Sequence, residues 1–219
     1  MIPGDAASAG RPEALARGAF AGAGFLGYAA LCHFTNCAAG PSTLGAALAL
    51  APLAAAAAVL GHRAFGRPGA VGAVALLGLA ALAAWPQLER YFSRLYVLQD
   101  ACLYALLAAP FWTSLVGGRT PLCTLLADRV HGPLDAAELR YTRGVTLAWG
   151  LLLSALAALM PILYLCAPRS VWSAFANFGA LFLVLLMFVG EQLVRRRMLP
   201  ATRSGGLIAT LRIYLVRSA

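Results

Sequence analysis

Val145–Ala167 reads VTLAWGLLLSALAALMPILYLCA, without a single charged residue. About 20 mostly apolar residues suffice for a helix to cross a bilayer, so this stretch is a membrane span. The residues before it sharpen the reading. Asp135 is followed three positions later by Glu138, an acidic variant of the capping box. A helix is therefore expected to start near Ala136 and run straight into the span, lifting Arg140, Tyr141 and Arg143 to headgroup level. Five further stretches qualify as spans: 18–39, 43–61, 69–87, 95–116 and 174–194. The expectation is an all-α, polytopic membrane bundle. It has a tail over 1–17, a six-span domain over 18–194 and a basic tail over 195–219.

Composition agrees. Of 219 residues, 61% are apolar and 11% charged, against about 25% charged in an ordinary soluble domain. Every one of the 17 basic residues is Arg. A chain with no lysine carries no Walker A phosphate loop, no PLP Schiff base and no Ser-x-x-Lys acylation site. The net charge of +9 suits an anionic membrane surface better than nucleic acid, because so few charges sit in so apolar a chain.

The arginines also set orientation. When the six spans are threaded alternately, only Arg90, Arg94 and Arg169 fall on the side opposite the N-terminus. Positive residues favour the cytoplasm, so both termini are expected there. The long loop before Val145 holds Leu122, Leu125, Leu126 and Val130 at helical spacing, with Asp128, Arg129 and His131 on the other face. That pattern predicts an interfacial helix. The apolar run 207–216 is too short to span.

Candidate chemistry is sparse. Asp100 lies inside the fourth span, where a carboxylate costs roughly 2.5–3.5 kcal/mol and should face a partner. His33, Asn36 and Asn177 fall at similar depth and form with it a candidate polar intramembrane site, open to the periplasmic side. Arg94 could also reach Asp100. No histidine pair has ligand spacing, so no metal or cofactor is expected. Gly22-Ala-Gly24-Phe-Leu-Gly27 matches a dinucleotide fingerprint only as a string, since no strand precedes it. Gly18 and Gly22 instead predict close helix packing. Pro52, Pro110 and Pro161 predict kinks. Of five cysteines, Cys37 and Cys166 approach the same face and a disulfide between them is open, free thiols being the simpler reading. His33 points away from Cys32, and His131 lies eight residues beyond Cys123, so thiol catalysis lacks a base.

A second set is cytoplasmic. Glu191 precedes Arg195, Arg196 and Arg197 in the sixth span's last turn. With His131, Arg140, Tyr141 and Arg143 these form a candidate contact surface for an anionic headgroup or an acyl-phosphopantetheine chain.

The C-terminal third, Arg140-Tyr141-Thr142-Arg143-x-Val145-Thr146-x-x-Trp149, then Trp172, Asn177 and Glu191-x-x-Val194-Arg195-Arg196-Arg197, resembles a family of small uncharacterised bacterial inner-membrane proteins. Members are encoded near gene clusters for aryl polyene or xanthomonadin-type pigments and their fatty-acid-synthase-like enzymes. The resemblance implies a process, lipid or polyene synthesis, and biosynthetic enzymes or an acyl carrier protein as partners. The expected role is accessory or scaffolding. The alternative is a lipid or polyene transporter that uses the site around Asp100.

Overall fold

The computed structural model describes residues 6–38 and 40–198, with side chains for 17–38, 40–130, 132–197. The 207–216 run and most of the C-terminal tail lie outside the described residues. Every regular element among the described residues is helical: α1 (Ala6–Cys37), α2 (Thr43–Ala83), α3 (Trp85–Leu115), α4 (Leu122–His131), α5 (Ala136–Cys166), α6 (Arg169–Ala174), a π-helical turn (Phe175–Gly179) and α7 (Ala180–Met198). Four stretches are long and apolar enough to cross a membrane: α2, α3, α5 and the run from Arg169 to Arg197. Many of their exposed side chains are large and apolar, among them Leu76, Leu106, Leu165 and Phe182. Large apolar patches of this kind suit lipid rather than water.

A straight α2 would measure roughly 60 Å, twice a bilayer core. It is not straight. Phe65 and Gly66 leave helical dihedrals, with Gly66 at φ 67°, a left-handed value that glycine adopts without Cβ strain. A methyl placed on Gly61 would lie 2.3 Å from the carbonyl oxygen of Gly69 and 3.0 Å from Cβ of Ala73. In a straight helix those residues would be roughly 12 and 18 Å away. The chain therefore doubles back at Phe65–Gly66, between the stretches expected as separate spans.

Helical dihedrals also break at Tyr91 in α3. Pro52, Pro110 and Pro161 lie within α2, α3 and α5 without such a break beside them. Helical dihedrals thus break at a glycine turn and at Tyr91. The α5 start is as expected: Asp135 Oδ1 accepts from the N–H groups of Ala137 and Glu138, each at 2.8 Å, and Glu138 Oε2 accepts from Asp135 N–H at 2.8 Å. The expected helix over Leu122–His131 is α4.

Contacts divide the chain into two compact units. The first runs to Tyr96 and takes in Pro168–Phe178; the second takes Val97–Ala167 and continues from Gly179. In the first unit, Phe92 packs on Gly45 so closely that a Cβ there would sit 2.6 Å from the ring. In the second, Ala108, Val145, Trp149 and Leu153 form a buried cluster, with Phe111, Trp112 and Met187 against it. The glycines expected to pack closely do not. Gly18, Gly22, Gly24 and Gly27 are exposed, with nothing within 4 Å of their Cβ positions. Close approach falls at Gly45, Gly61, Gly69 and Gly150 instead.

Candidate functional site

The second unit carries a cleft of about 530 Å³. Successive turns of α5 form one wall (Ala137, Arg140, Tyr141, Gly144, Val145, Ala148), and α7 forms the other (Met187, Gly190, Glu191, Val194). Small residues open the cleft: Gly144 and Gly190 have nothing within 4 Å of their Cβ positions. The volume lies within the range of roughly 300–1,000 Å³ usual for ligand sites.

One carboxylate anchors it. Glu191 is only 8% exposed, and its Oε2 accepts the Trp149 indole N–H at 3.2 Å. The Tyr141 hydroxyl donates to the Glu191 backbone carbonyl at 3.0 Å. Arg195, one turn on, acts electrostatically on the carboxylate. Trp149 is fixed from both sides, by Phe188 at 4.6 Å and by Phe111 stacked at 6.3 Å. Arg140 lines the cleft and is exposed, as are Arg143, Arg196 and Arg197.

The structure thus gathers Arg140, Tyr141, Glu191 and Arg195 of the expected contact surface around one cleft. The His131 side chain lies outside the described residues. Trp149, which holds Glu191, appears in the sequence only within a motif and carries no signal of that contact. Helix α4 packs on the same helix through a Thr124–Thr142 hydroxyl bond of 2.7 Å and a Cys123 N–H to Thr146 Oγ1 bond of 3.2 Å. Burial pushes the Cys123 thiol up; Thr146 opposes this and the Glu191 charge adds to it. Cys123 is therefore held protonated, which suits packing rather than attack.

The residues of the other expected site come from both units. Asp100, half-buried one turn before Tyr104, belongs to the second unit; His33, Asn36 and Asn177 belong to the first. Asn36 is almost fully buried. Its Nδ2 donates to the Cys32 carbonyl at 2.9 Å and its Oδ1 accepts from Ser93 at 2.7 Å. Cys32 itself meets the Tyr96 hydroxyl at 3.2 Å. Arg94 lies 4.6 Å over the Tyr91 ring.

His33 turns to a different neighbour: its Nδ1 is 3.1 Å from Ser173 Oγ. Asn177 Nδ2 donates to the Ser173 carbonyl at 2.8 Å and approaches its hydroxyl at 3.4 Å. Ser173 therefore links His33 to Asn177, while Asn36 bonds separately through Ser93. Both serines were missed, because an isolated hydroxyl in an apolar helix has no pattern to mark it. No group of three metal-ligating side chains occurs among the described residues. Cys37 and Cys166 are exposed free thiols.

Comparison with protein families, curated proteins and solved structures finds no match for this chain.

Proposed function

We propose that this chain is a six-span protein of the bacterial cytoplasmic membrane whose second unit holds one acyl-type amphiphile at the inner leaflet. Its role is accessory: it retains a lipid or aryl-polyene intermediate, or presents it to the enzymes or carrier protein that make it. The observation that carries this reading is the α5/α7 cleft, apolar along its walls, with exposed Arg140 on its lining. An acyl chain matches the walls and an anionic head matches the arginine.

Other features support the setting. The hairpin in α2 supplies two antiparallel arms where two spans are expected. The arginine distribution favours cytoplasmic termini, and α4 has the two-faced pattern of an interfacial helix. The biosynthetic context rests on the motif resemblance of the C-terminal third. A carrier protein would dock on the exposed Arg143, Arg196 and Arg197.

The test fills the cleft. Gly144→Leu with Gly190→Leu adds side chains into open space, so the purified protein should unfold at the native temperature. Native mass spectrometry after delipidation should find one acyl amphiphile on the wild type and at least a roughly tenfold smaller bound fraction on the variant. Equal retention by the two proteins, or a wild type that carries nothing, defeats the proposal.

A further inference from the structure

One oxygen of the Glu191 carboxylate is committed and the other is not. Oε2 accepts the Trp149 indole N–H at 3.2 Å. Among the described residues nothing donates a hydrogen bond to Oε1. The residue is only 8% exposed, yet it lines the α5/α7 cleft. A ligand in the cleft therefore covers a charged acceptor. Covering it without offering a donor sacrifices the hydration of that oxygen.

The order of groups along the cleft says where the donor must lie. Arg140 and Ala148 share the α5 wall, about 12 Å apart along the helix axis. The Tyr141 hydroxyl bonds the Glu191 carbonyl, whereas the Trp149 indole bonds the Glu191 carboxylate. The carboxylate thus lies between those two levels. Trp149 also meets Phe188 at 4.6 Å, so later residues of α5 face earlier residues of α7. Met187, one turn before Glu191, therefore lines the Ala148 end. Three chemistries follow one another: the Arg140 guanidinium, an unpaired carboxylate oxygen, and an apolar end at Ala148 and Met187. A ligand that complements this order has an acid, then a donor, then an apolar chain. A neutral hydroxyl suits the middle position better than an ammonium, because Arg195 already acts electrostatically on the carboxylate.

We propose that the amphiphile held in this cleft carries a hydroxyl between its acidic head and its apolar chain, and that this hydroxyl donates to Glu191 Oε1. The inference rests on the amphiphile reading of the cleft and names the chemistry that the cleft selects. Such a hydroxyl has two sources. One is a β-hydroxyacyl chain; the other is the free glycerol hydroxyl of a monoacyl glycerol phosphate. In both, the hydroxyl stands between acid and chain. A ligand without it leaves Oε1 desolvated and unpaired, which is how a polar site rejects a close analogue.

The test uses the full chain in detergent, delipidated, with native mass spectrometry and two matched pairs of probes. The first pair is β-hydroxymyristate against myristate. The second is a monoacyl glycerol phosphate against its deoxy analogue, in which hydrogen replaces the free hydroxyl. In at least one pair the hydroxylated probe should bind at least roughly tenfold tighter, the size expected for a hydrogen bond to a charged group. A preference in the first pair alone assigns the hydroxyacyl source, and in the second alone the glycerol source. A preference in both assigns the shared hydroxyl chemistry. Trp149→Phe with Glu191→Leu removes the acceptor and its indole donor together, so it should bind the members of each pair alike. Thermal unfolding reports whether that variant keeps its fold. If it does not, Glu191→Gln decides: its single carbonyl oxygen takes the indole, an amide NH2 replaces Oε1, and the preference should fall by several-fold. A wild type that binds both members of both pairs equally overturns the inference and leaves the amphiphile reading standing. A hydroxyl preference that the deciding variant leaves intact also overturns it. So does binding of none of the four probes; only a wild type that also carries no amphiphile of its own defeats both readings.

Discussion

The two units place polar groups in apolar surroundings by opposite means. In the first, polar side chains are shared out in short local bonds: Asn36 between Cys32 and Ser93, Cys32 with Tyr96, and Tyr28 with the Leu48 carbonyl. Glycine and alanine let helices come close, as at Gly45 under Phe92 and at the Gly61–Gly69 approach. In the second, aromatic rings surround a single carboxylate. Trp149 stands between Phe111 and Phe188 and gives its N–H to Glu191. Small residues bring backbones together when they face each other, and open a cleft when they face outward. Gly61 and Gly69 do the first; Gly144 and Gly190 do the second.

The largest effect is expected where the backbones meet. Gly61→Val would set a branched side chain against the Gly69 carbonyl, which has no freedom to move aside. Overpacking of this kind costs about 3 kcal/mol. Gly22→Val, also in an apolar helix, meets open space and should change stability by less than about 0.5 kcal/mol. Thermal unfolding in a single detergent measures both. Similar losses for the two variants would mean that the hairpin contact does not distinguish these glycines.

The next effect tests the carboxylate. Trp149→Phe keeps a ring between Phe111 and Phe188 but removes the donor to Glu191. A buried acceptor left unsatisfied costs about 2 kcal/mol. Removing both partners should recover part of that loss, so Trp149→Phe with Glu191→Leu is expected to be more stable than Trp149→Phe alone. A double variant less stable than the single would place Glu191's main support elsewhere than Trp149.

What was legible in the sequence was local. The capping box at Asp135–Glu138 depends on residues three apart, and α4 on a repeat of three and four, so both could be read directly. The turn in α2 falls between two apolar runs and was readable as a break, though its closeness was not. Glycine roles were misread because Gly22 and Gly61 look alike in an apolar string; only the opposing helix tells them apart. In the sequence Glu191 is marked only by the arginines that follow it. Its bond to Trp149 spans 42 positions, and no periodicity carries information over that distance. The His33–Cys37 contact is legible in principle, since four-residue spacing marks a shared helix face. Asp100 is grouped with His33 by depth alone, and depth fixes one coordinate of three.

The smallest effect separates the two roles of Tyr141. Its hydroxyl donates to the Glu191 carbonyl at 3.0 Å, while its ring lines the cleft. That carbonyl lies inside α7, where the N–H four residues on already serves it. Tyr141→Phe therefore leaves no acceptor stranded and should cost only about 0.5–1 kcal/mol, the net value of one neutral hydrogen bond. This is well below the Trp149→Phe loss, although both side chains bond the same residue. The difference follows from the acceptor: a helix carbonyl keeps its helical bond, whereas Trp149→Phe takes the indole donor from the Glu191 carboxylate itself. Because the phenylalanine ring still lines the cleft, Tyr141→Phe should also retain the bound amphiphile in native mass spectrometry. A loss as large as that of Trp149→Phe would show that the hydroxyl, rather than the indole, holds α7 against α5.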